Sequence, residues 1–414
     1  MSTTHHPPGI TFIVSNEAAE RFSYYGMKAI LVVFMTTMLL DSSGAPAPMS
    51  KEEATFWYHI FGMGNYLVPV FGALVADVLW GKYRTIITLS LVYCAGHAAL
   101  ALDDTRLGLL LGLSLIALGS GGIKPCVSAH LGDQYRQRGS QKISDGYSIF
   151  YLAINVGAFL STLIIPWLLA KHGPRVAFAV PGIFMALATI FFWSGRRRYV
   201  ALPPTPWRAY RQELSRPDSR GALGAAALLF VSLSAFWALF DQTGSSWVFQ
   251  AESMNRQISL PLLPSFAVLP SQVQAVNPVL ILILAPLFTW GVYPALARRC
   301  ELRPFKKLVA GMLLASSSFA IAALAQAWIG AGESVSIGWQ LLAYLLLTAS
   351  EVMVSITALE LAYTLAPDAS KSLVTSLYLL SVSLGNGVTA SVTKLFAALS
   401  LTPESPIYFG FFAL

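Results

Sequence analysis

Two acids, two bases and two phenols recur at helical spacing near the start of the chain. They occupy positions i, i+3, i+4, i+7, i+8 and i+11 of one segment, as Glu17, Glu20, Arg21, Tyr24, Tyr25 and Lys28. This spacing places all six side chains along one face of a helix. A face with both signs of charge can exchange protons and can bind a ligand that carries both charges. A structural ion-pair cluster that only holds helices together is the alternative interpretation.

The segment around these residues indicates where they must lie. It is apolar from about residue 9 to residue 40, which is long enough for a helix to cross a bilayer. A charge at the bilayer centre costs at least about 2.5–3.5 kcal/mol, so four ionisable groups on one face cannot point into lipid. The sequence therefore predicts a hydrated cavity that is enclosed by other helices.

The composition predicts an all-α polytopic membrane protein. The 414 residues are 55% hydrophobic and 11% charged, whereas about a quarter of the residues in a soluble domain are charged. The formal net charge of +7 is concentrated in loops, and we expect no nucleic-acid partner. No secretory signal peptide is apparent, because the first residues lack a positively charged region.

Apolar segments of membrane-spanning length recur along the whole chain. Eleven are found, at about 10–40, 54–78, 84–102, 107–128, 146–170, 176–194, 222–250, 272–297, 305–329, 337–366 and 372–398. A twelfth begins near Pro406 and reaches Leu414, which is too short to cross a bilayer. We therefore expect twelve spans, of which the last is either truncated or not a full span; we favour truncation.

Lysine and arginine accumulate in the loops that follow even-numbered spans. The excess predicts that these loops and both termini are cytoplasmic. We expect the membrane to be the plasma membrane, or the inner membrane if the organism is a Gram-negative bacterium. The longest polar segment, 196–221, holds seven arginines and reads as a cytoplasmic linker. It divides the chain into an N-terminal six-helix bundle at 1–195 and a C-terminal bundle at 222–414.

Span 2 carries a histidine at membrane depth. His59 shares a helical face with Tyr66; it is either a packing residue or a proton-sensing group, because its ordinary pKa is near 6.5. Polar residues also mark the point where span 2 leaves the membrane: Asp77, Gly81, Lys82 and Arg84. We interpret that group as a cytoplasmic gate or helix cap rather than as a ligand contact.

Span 4 contains Lys124, which is followed by Pro125. An intramembrane lysine needs a carboxylate partner, and the intramembrane carboxylates of Glu17 and Glu20 are the candidates. Span 5 contributes Asn155, which we expect to face the cavity or a neighbouring helix.

The second half of the chain carries its own candidates. Trp237 and Asp241 share one face of span 7. Glu351 and Glu360 are nine residues apart on span 10 and therefore face opposite ways, so only one is expected to line a central cavity.

Four motifs together resemble the proton-dependent oligopeptide transporter family of the major facilitator superfamily. They are E-x-x-E-R-F-x-Y-Y-G on span 1, G-G-I-K-P-C-V on span 4, F-Y-x-x-I-N-x-G on span 5 and E-L-A-Y on span 10. The resemblance implies a major facilitator-type fold of two six-helix bundles. It also implies symport of di- and tripeptides with protons by alternating access, by a monomer in the lipid bilayer without a cofactor.

The resemblance also implies residue roles. Arg21 and Lys124 would bind the carboxylate of a peptide, and Glu17 and Glu20 would be their switchable partners. Glu360 would receive the amino terminus together with Asn277. The remaining substrate-binding residues implied by the resemblance are Tyr24, Tyr25, Lys28, Tyr66, Asn155, Trp237 and Tyr378.

Several positions depart from the common bacterial pattern of that family. Lys28 stands in place of an arginine and Tyr378 in place of a tryptophan, and the linker is too short for an additional helix pair. His59 together with Asp241 resembles the proton-coupling arrangement of animal peptide transporters. Our hypothesis is that this pair couples proton entry to opening of the extracellular side, with Glu17 and Glu20 as further proton carriers.

Three other functions are the alternatives to peptide symport. Related transporters carry nitrate or other small anions, and a non-transporting peptide receptor would need the same binding groups. An intramembrane hydrolase is disfavoured, because the sequence has neither H-E-x-x-H nor G-x-S-x-G, and we expect no enzyme activity. Cys94, Cys126 and Cys300 are scattered and predict neither a disulfide framework nor a metal site.

Overall fold

The structure, a computed structural model, describes residues 6–135, 140–200, 202–258, 265–299, 301–365 and 371–414. Cys300 lies outside this range. The described chain is almost entirely helical, apart from a two-stranded antiparallel pair, β1 (Gln257–Ile258) and β2 (Phe266–Ala267). This confirms the predicted all-α class.

Among the described residues, five long helices form the first half. They are α1 (Ile10–Thr37), α2 (Lys51–Leu74), α3 (Lys82–Leu102), α4 (Arg106–Gln134) and α5 (Ser140–Ser194). A π-helical turn, Val75–Trp80, extends α2. The long helix α5 contains two predicted spans, because Gly173 has a φ of 78° that breaks the helical path and that other residues adopt only at a cost.

The second half begins after the linker. Its helices are α6 (Trp207–Leu214), α7 (Pro217–Phe240), α8 (Ser246–Glu252), α9 (Val276–Leu287), α10 (Tyr293–Ala297), α11 (Pro304–Gly330), α12 (Gly338–Leu365), α13 (Lys371–Ala398) and α14 (Pro406–Ala413). A 3₁₀ turn, Asp241–Gly244, joins α7 to α8, and a second one, Pro270–Ala275, precedes α9. A π-helical turn, Phe288–Val292, joins α9 to α10. Predicted spans 7 and 8 are therefore interrupted helices.

Among the described residues, eight helical segments are long and apolar enough to cross a membrane. They are Lys51–Trp80, Lys82–Leu102, Arg106–Gln134, Ile143–Ser194, Ser219–Glu252, Pro270–Ala297, Pro304–Gly330 and Gly338–Leu361. Ile143–Ser194 is the segment with the break at Gly173. The helices α1 and α13 have 28 residues each, and α1 carries the charged face described above.

Two large hydrophobic cores organise these helices. One is built from α1 to α5, and the other is built from α7, α8 and the elements that follow them. Val248 and Phe249 of α8 belong to the first core, so the two halves interlock there. The halves also meet where α2 packs against α13 and where α5 packs against Pro270–Ala275 and α9. The predicted linker lies between the two cores in sequence.

Candidate functional site

The charged face of α1 is buried. Arg21 lies between the two acids of the motif, with its Nε 2.9 Å from Oε1 of Glu17 and 2.5 Å from Oε2 of Glu20. All three side chains are buried, and α1 packs mainly against α5. Arg21 is therefore paired with two carboxylates inside the first half.

Lys124 lies beside this cluster but does not join it. Its Nζ lies 4.1 Å from the ring centroid of Tyr24 and 4.1 Å from that of Tyr66. In the described part of the chain this buried Nζ has no hydrogen-bond partner and no ion-pair partner. The expected carboxylate partner is therefore wrong for this structure: Arg21 holds both glutamates, and two aromatic faces stabilise the ammonium instead.

A second ion pair joins the two halves. Nζ of Lys28 on α1 donates to Oδ1 of Asp241 at 2.7 Å, and both side chains are buried. Lys28 also lies 5.2 Å from the centroid of Tyr58. We predicted both charged residues from sequence, but we did not predict that they pair with each other.

His59 is connected to this ion pair through an asparagine. Its Nδ1 lies 2.7 Å from Oδ1 of Asn386, and Nδ2 of Asn386 donates to Oδ2 of Asp241 at 2.6 Å. The other ring nitrogen, Nε2, lies 2.9 Å from Oγ of Ser245. His59 and Asp241 thus belong to one buried network, but the link between them is indirect.

Asn386 and Ser245 were not predicted from the sequence as functional residues. Asn386 stands between two glycines on α13, and Ser245 directly follows the 3₁₀ turn Asp241–Gly244. The available signal was that both are polar residues at membrane depth. Their positions in the sequence do not indicate that they contact His59 on α2.

The acid on α12 that faces Asn277 is Glu351, not Glu360. Nδ2 of Asn277 donates to Oε2 of Glu351 at 2.8 Å and to Oγ1 of Thr348 at 3.1 Å. Glu351 is partly buried, whereas Glu360 is exposed. The placement of Glu360 beside Asn277 is therefore corrected, and the opposite phase of the two acids explains the exchange.

Aromatic residues line the second half near these groups. Trp237 and Tyr378 pack edge to face with ring centroids 6.1 Å apart, and Phe230 lies 5.8 Å from Tyr378. On the first half, the buried amide of Asn155 donates to the carbonyl of Tyr151 on its own helix at 2.9 Å. Tyr25 lies where charges from both halves act on it, including those of Arg21, Lys28, Glu351 and Asp241.

The polar group at the end of α2 forms a helix junction. Gly81, with a φ of 77°, directly precedes α3, and Nζ of Lys82 lies 2.5 Å from Oδ2 of Asp133 at the end of α4. The carbonyl of Asp77 accepts a hydrogen bond from the amide of Thr205 in the linker at 2.7 Å. Arg84 is exposed. The junction ties two helices of the first half to the linker.

Ion pairs also connect the halves at the opposite end of the molecule. Nζ of Lys51 at the start of α2 lies 2.9 Å from Oε1 of Glu404 and 3.5 Å from Oε2 of Glu252. This cluster is partly exposed, with one third of the Lys51 side chain accessible. Among the described residues, no group of three or more His, Cys, Asp and Glu side chains could hold a metal ion.

Comparison with known proteins assigns the fold. The sequence profile of the POT family matches residues 83–213 and 206–407. The chain belongs to the POT family. The α1 motif lies before the matched segments, so its assignment rests on its own residues and their contacts.

Relatives of this POT chain include a protein named as a peptide transporter and a member of solute carrier family 15. It is 38% identical over 364 residues to Peptide transporter family 1 of Drosophila melanogaster, covering 77% of this chain and 47% of the relative. It is 36% identical over 371 residues to human Solute carrier family 15 member 2, covering 77% of this chain and 49% of that protein. The chain spans about half the length of these relatives.

Solved POT structures have the same fold over nearly the whole chain. An auto-inhibited POT family peptide transporter superimposes with a TM-score of 0.86 at 33% identity, covering 98% of this chain and 94% of that chain. A POT peptide transporter in complex with alafosfalin superimposes with a TM-score of 0.84 at 26% identity, covering 100% and 93%. The architecture is therefore a multi-pass membrane transporter of the major facilitator type.

Proposed function

We propose that this chain carries di- and tripeptides across the plasma membrane together with protons, by alternating access. The proton gradient drives transport without a cofactor, the chain acts as a transporter rather than as an enzyme, and it functions as a monomer with cytoplasmic termini. The names of the relatives support the substrate class, and the charges of the buried site support it independently.

The observation that carries the proposal is the environment of Lys124. A buried ammonium that lies between two tyrosine rings, while both nearby glutamates pair with Arg21, presents a cation to an incoming anion. The carboxylate of a peptide satisfies it with a charge-assisted hydrogen bond. The carboxylate of the substrate therefore binds the first half at Lys124.

The second half supplies the complementary charge. Glu351, held by the amide of Asn277, accepts a peptide ammonium, and Trp237 and Tyr378 provide apolar surface for side chains. A peptide that binds Lys124 and Glu351 together bridges the two halves. A small anion lacks an ammonium, so the acid on α12 favours a peptide over nitrate.

Proton coupling uses two separate clusters in this proposal. Protonation of Glu17 or Glu20 weakens its pairing with Arg21 and makes the guanidinium available to the substrate. Protonation of His59 adds a positive charge beside the Lys28–Asp241 ion pair, which joins the halves. Weakening this pair favours separation of the halves at that point.

The test is uptake of radiolabelled dialanine into proteoliposomes, with and without an inward proton gradient. We expect accumulation that requires the gradient and is competed by unlabelled di- and tripeptides. Binding without accumulation would indicate a receptor, and cleaved peptide would indicate a hydrolase. Competition by nitrate but not by peptides would replace the proposal with anion transport.

A further inference from the structure

The side-chain amide of Asn386 contacts both residues that the proposed function assigns to proton coupling. Its Nδ2 donates to Oδ2 of Asp241 at 2.6 Å and to the carbonyl of Val382 at 3.0 Å. Its Oδ1 faces Nδ1 of His59 at 2.7 Å. Asn386 and His59 are completely buried, so water does not compete for these contacts.

These contacts determine the orientation of the amide and the tautomer of the imidazole. A carboxylate and a carbonyl only accept hydrogen bonds, so the NH₂ group of Asn386 must face Asp241 and Val382. Its oxygen must then face His59. Because that oxygen also only accepts, Nδ1 of His59 carries a hydrogen, and Nε2 is the acceptor in the neutral ring.

Ser245 completes the arrangement at Nε2. In the neutral ring its hydroxyl donates to Nε2 across 2.9 Å. When Nε2 is protonated it donates to the same oxygen, and the hydroxyl hydrogen turns toward the carbonyl of Gln242, 3.5 Å away. Both states of His59 keep two hydrogen-bond partners, and only one hydroxyl rotates. The charged groups that act on the ring are Asp241 and Lys28.

We propose that Asn386 is a positioning residue that holds His59 in the Nδ1–H tautomer and links it to the Lys28–Asp241 ion pair. The coupled proton is therefore taken up at Nε2, on the side of Ser245. The positive charge of the protonated ring acts on Asp241 through the amide, because it polarises the hydrogen bonds at both ends of the amide. This inference rests on the proposed proton-coupled function.

The experiment compares gradient-driven uptake over a range of external pH with gradient-independent counterflow. The variants are Asn386→Leu, His59→Gln, their combination and Thr389→Val. Thr389 is a matched control, since it is buried on the same helix and bonds the carbonyl of Ala238 without contacting His59. We expect gradient-driven uptake by Asn386→Leu to fall about tenfold or more, which is the effect of losing one hydrogen bond that involves a charged group. Counterflow should persist.

The pH profile separates a positioning role from a structural one. The profile of Asn386→Leu should coincide with that of His59→Gln, and the combined variant should be no worse than either single variant. Thr389→Val should keep the wild-type profile. Additive losses, or a wild-type profile in Asn386→Leu, would overturn the inference.

A second variant and a direct measurement guard against a misfolded Asn386→Leu protein. Ser245→Ala leaves the amide in place and should shift the pH profile of gradient-driven uptake but not counterflow; an unshifted profile contradicts the inference. The ¹⁵N chemical shifts of His59, assigned by their loss in His59→Gln, report the tautomer without any transport. An Nε2–H tautomer would overturn the inference even if the chain transports peptides, and an Nδ1–H tautomer would support it even if it does not.

A groove lies between α2 and α4. It has a volume of about 410 Å³, and its walls are apolar, with Trp57, Ile60 and Gly64 from one helix and Leu110 and Leu113 from the other. Both helices are apolar enough to cross a membrane, and Trp57 and Leu110 of the groove are exposed, so the groove opens toward the bilayer.

The packing of the two helices explains the groove. A Cβ atom on Gly72 would collide with the backbone of Gly122, so the helices touch closely there. A Cβ atom on Gly64 would meet no atom within 4 Å. The helices therefore diverge toward their first residues, where Arg106 and Glu53 pair across the opening at 2.5 Å and 3.2 Å.

The structure assigns this groove to one acyl chain of phosphatidylethanolamine. The apolar walls match the acyl chain. At the mouth of the groove, one positive and one negative side chain lie where the headgroup would contact the protein. Half of the Arg106 side chain and about a third of the Glu53 side chain are exposed, at 51% and 35%. The guanidinium is suited to the lipid phosphate, and the carboxylate is suited to the primary ammonium.

Native mass spectrometry of the purified protein with phosphatidylethanolamine, phosphatidylcholine and phosphatidylglycerol tests the assignment. We expect phosphatidylethanolamine to be retained about fivefold more than either other lipid, a ratio equivalent to about 1 kcal/mol. Gly64→Leu fills the groove and should remove this preference. Gly224→Leu on α7, where an added Cβ also meets no atom within 4 Å, is the matched control.

Headgroup discrimination and groove filling separate this site from general lipid coating. Arg106→Gln should reduce retention of phosphatidylethanolamine toward that of phosphatidylcholine. Equal retention of all three lipids by the wild type, or equal behaviour of Gly64→Leu and Gly224→Leu, would overturn the assignment.

Discussion

Nζ of Lys28 and Oδ1 of Asp241 lie 2.7 Å apart, although 213 positions separate them in the chain. The contact joins α1 of the first half to the 3₁₀ turn after α7 of the second half. It is buried and shares Asp241 with the amide of Asn386. An ion pair at this position holds the halves together only while both of its members stay charged.

Removing one member of this pair should destabilise the protein more than removing both. Lys28→Gln or Asp241→Asn each leaves a buried charge without its partner, which typically costs about 3–5 kcal/mol. The double variant contains neither charge and should unfold at a higher temperature than either single variant. Thermal unfolding in detergent measures this, and additive losses in the double variant would contradict it.

Lys124→Gln should weaken binding of peptides that have a free carboxylate. The loss of a hydrogen bond to a charged group corresponds to about 1.5–3 kcal/mol, or about 10–150-fold in affinity. Peptides with an amidated carboxyl terminus should bind wild type and variant almost equally. Calorimetric titration of both peptide forms measures the difference, and equal losses for both forms would place Lys124 outside the carboxylate site.

Glu351 and Glu360 provide a matched pair on one helix. Glu351→Gln should weaken binding of peptides with a free amino terminus by about tenfold or more, because a neutral amide replaces the carboxylate beside Asn277. Glu360→Gln removes an exposed acid and should leave affinity unchanged. The comparison is made with the same labelled dipeptide. A larger effect at Glu360 would restore the sequence-based expectation.

Lys51→Gln should have a small effect on transport. Its pairs with Glu404 and Glu252 are partly exposed, and pairs of this kind contribute about 0–1 kcal/mol. We expect the uptake rate to change by less than about fivefold, and high salt should reduce the difference from wild type. Loss of uptake in a folded Lys51→Gln protein would show that this cluster is essential to the cycle.

Much of the architecture follows from sequence patterns alone. Composition and span length predict a multi-pass helical membrane protein, since backbone groups in lipid must be satisfied within each segment. Helical periodicity also places the six reactive residues of α1 on one face, because that face depends only on the pitch of the helix. The motifs predict the family, and the comparisons confirm it. The division at 196–221 stays a prediction.

The partners of these residues could not be obtained in that way. Periodicity states which face a side chain occupies, but it does not state the depth or rotation of the helix opposite. Lys124 was expected to pair with Glu17 or Glu20, yet Arg21 is closer along the same helix and occupies both carboxylates. Glu351 and Glu360 were known to face opposite ways, and only the rotation of α12 decides which of them meets Asn277.

The sequence by itself determined the fold class, the family motifs and the helical face that the six reactive residues of α1 share. Only the tertiary structure decided that Lys28 pairs with Asp241, and that Asn386 stands between Asp241 and His59. The physical reason is that local patterns depend on neighbours a few positions apart, whereas these contacts join helices from opposite halves. Their geometry depends on how all the intervening helices pack.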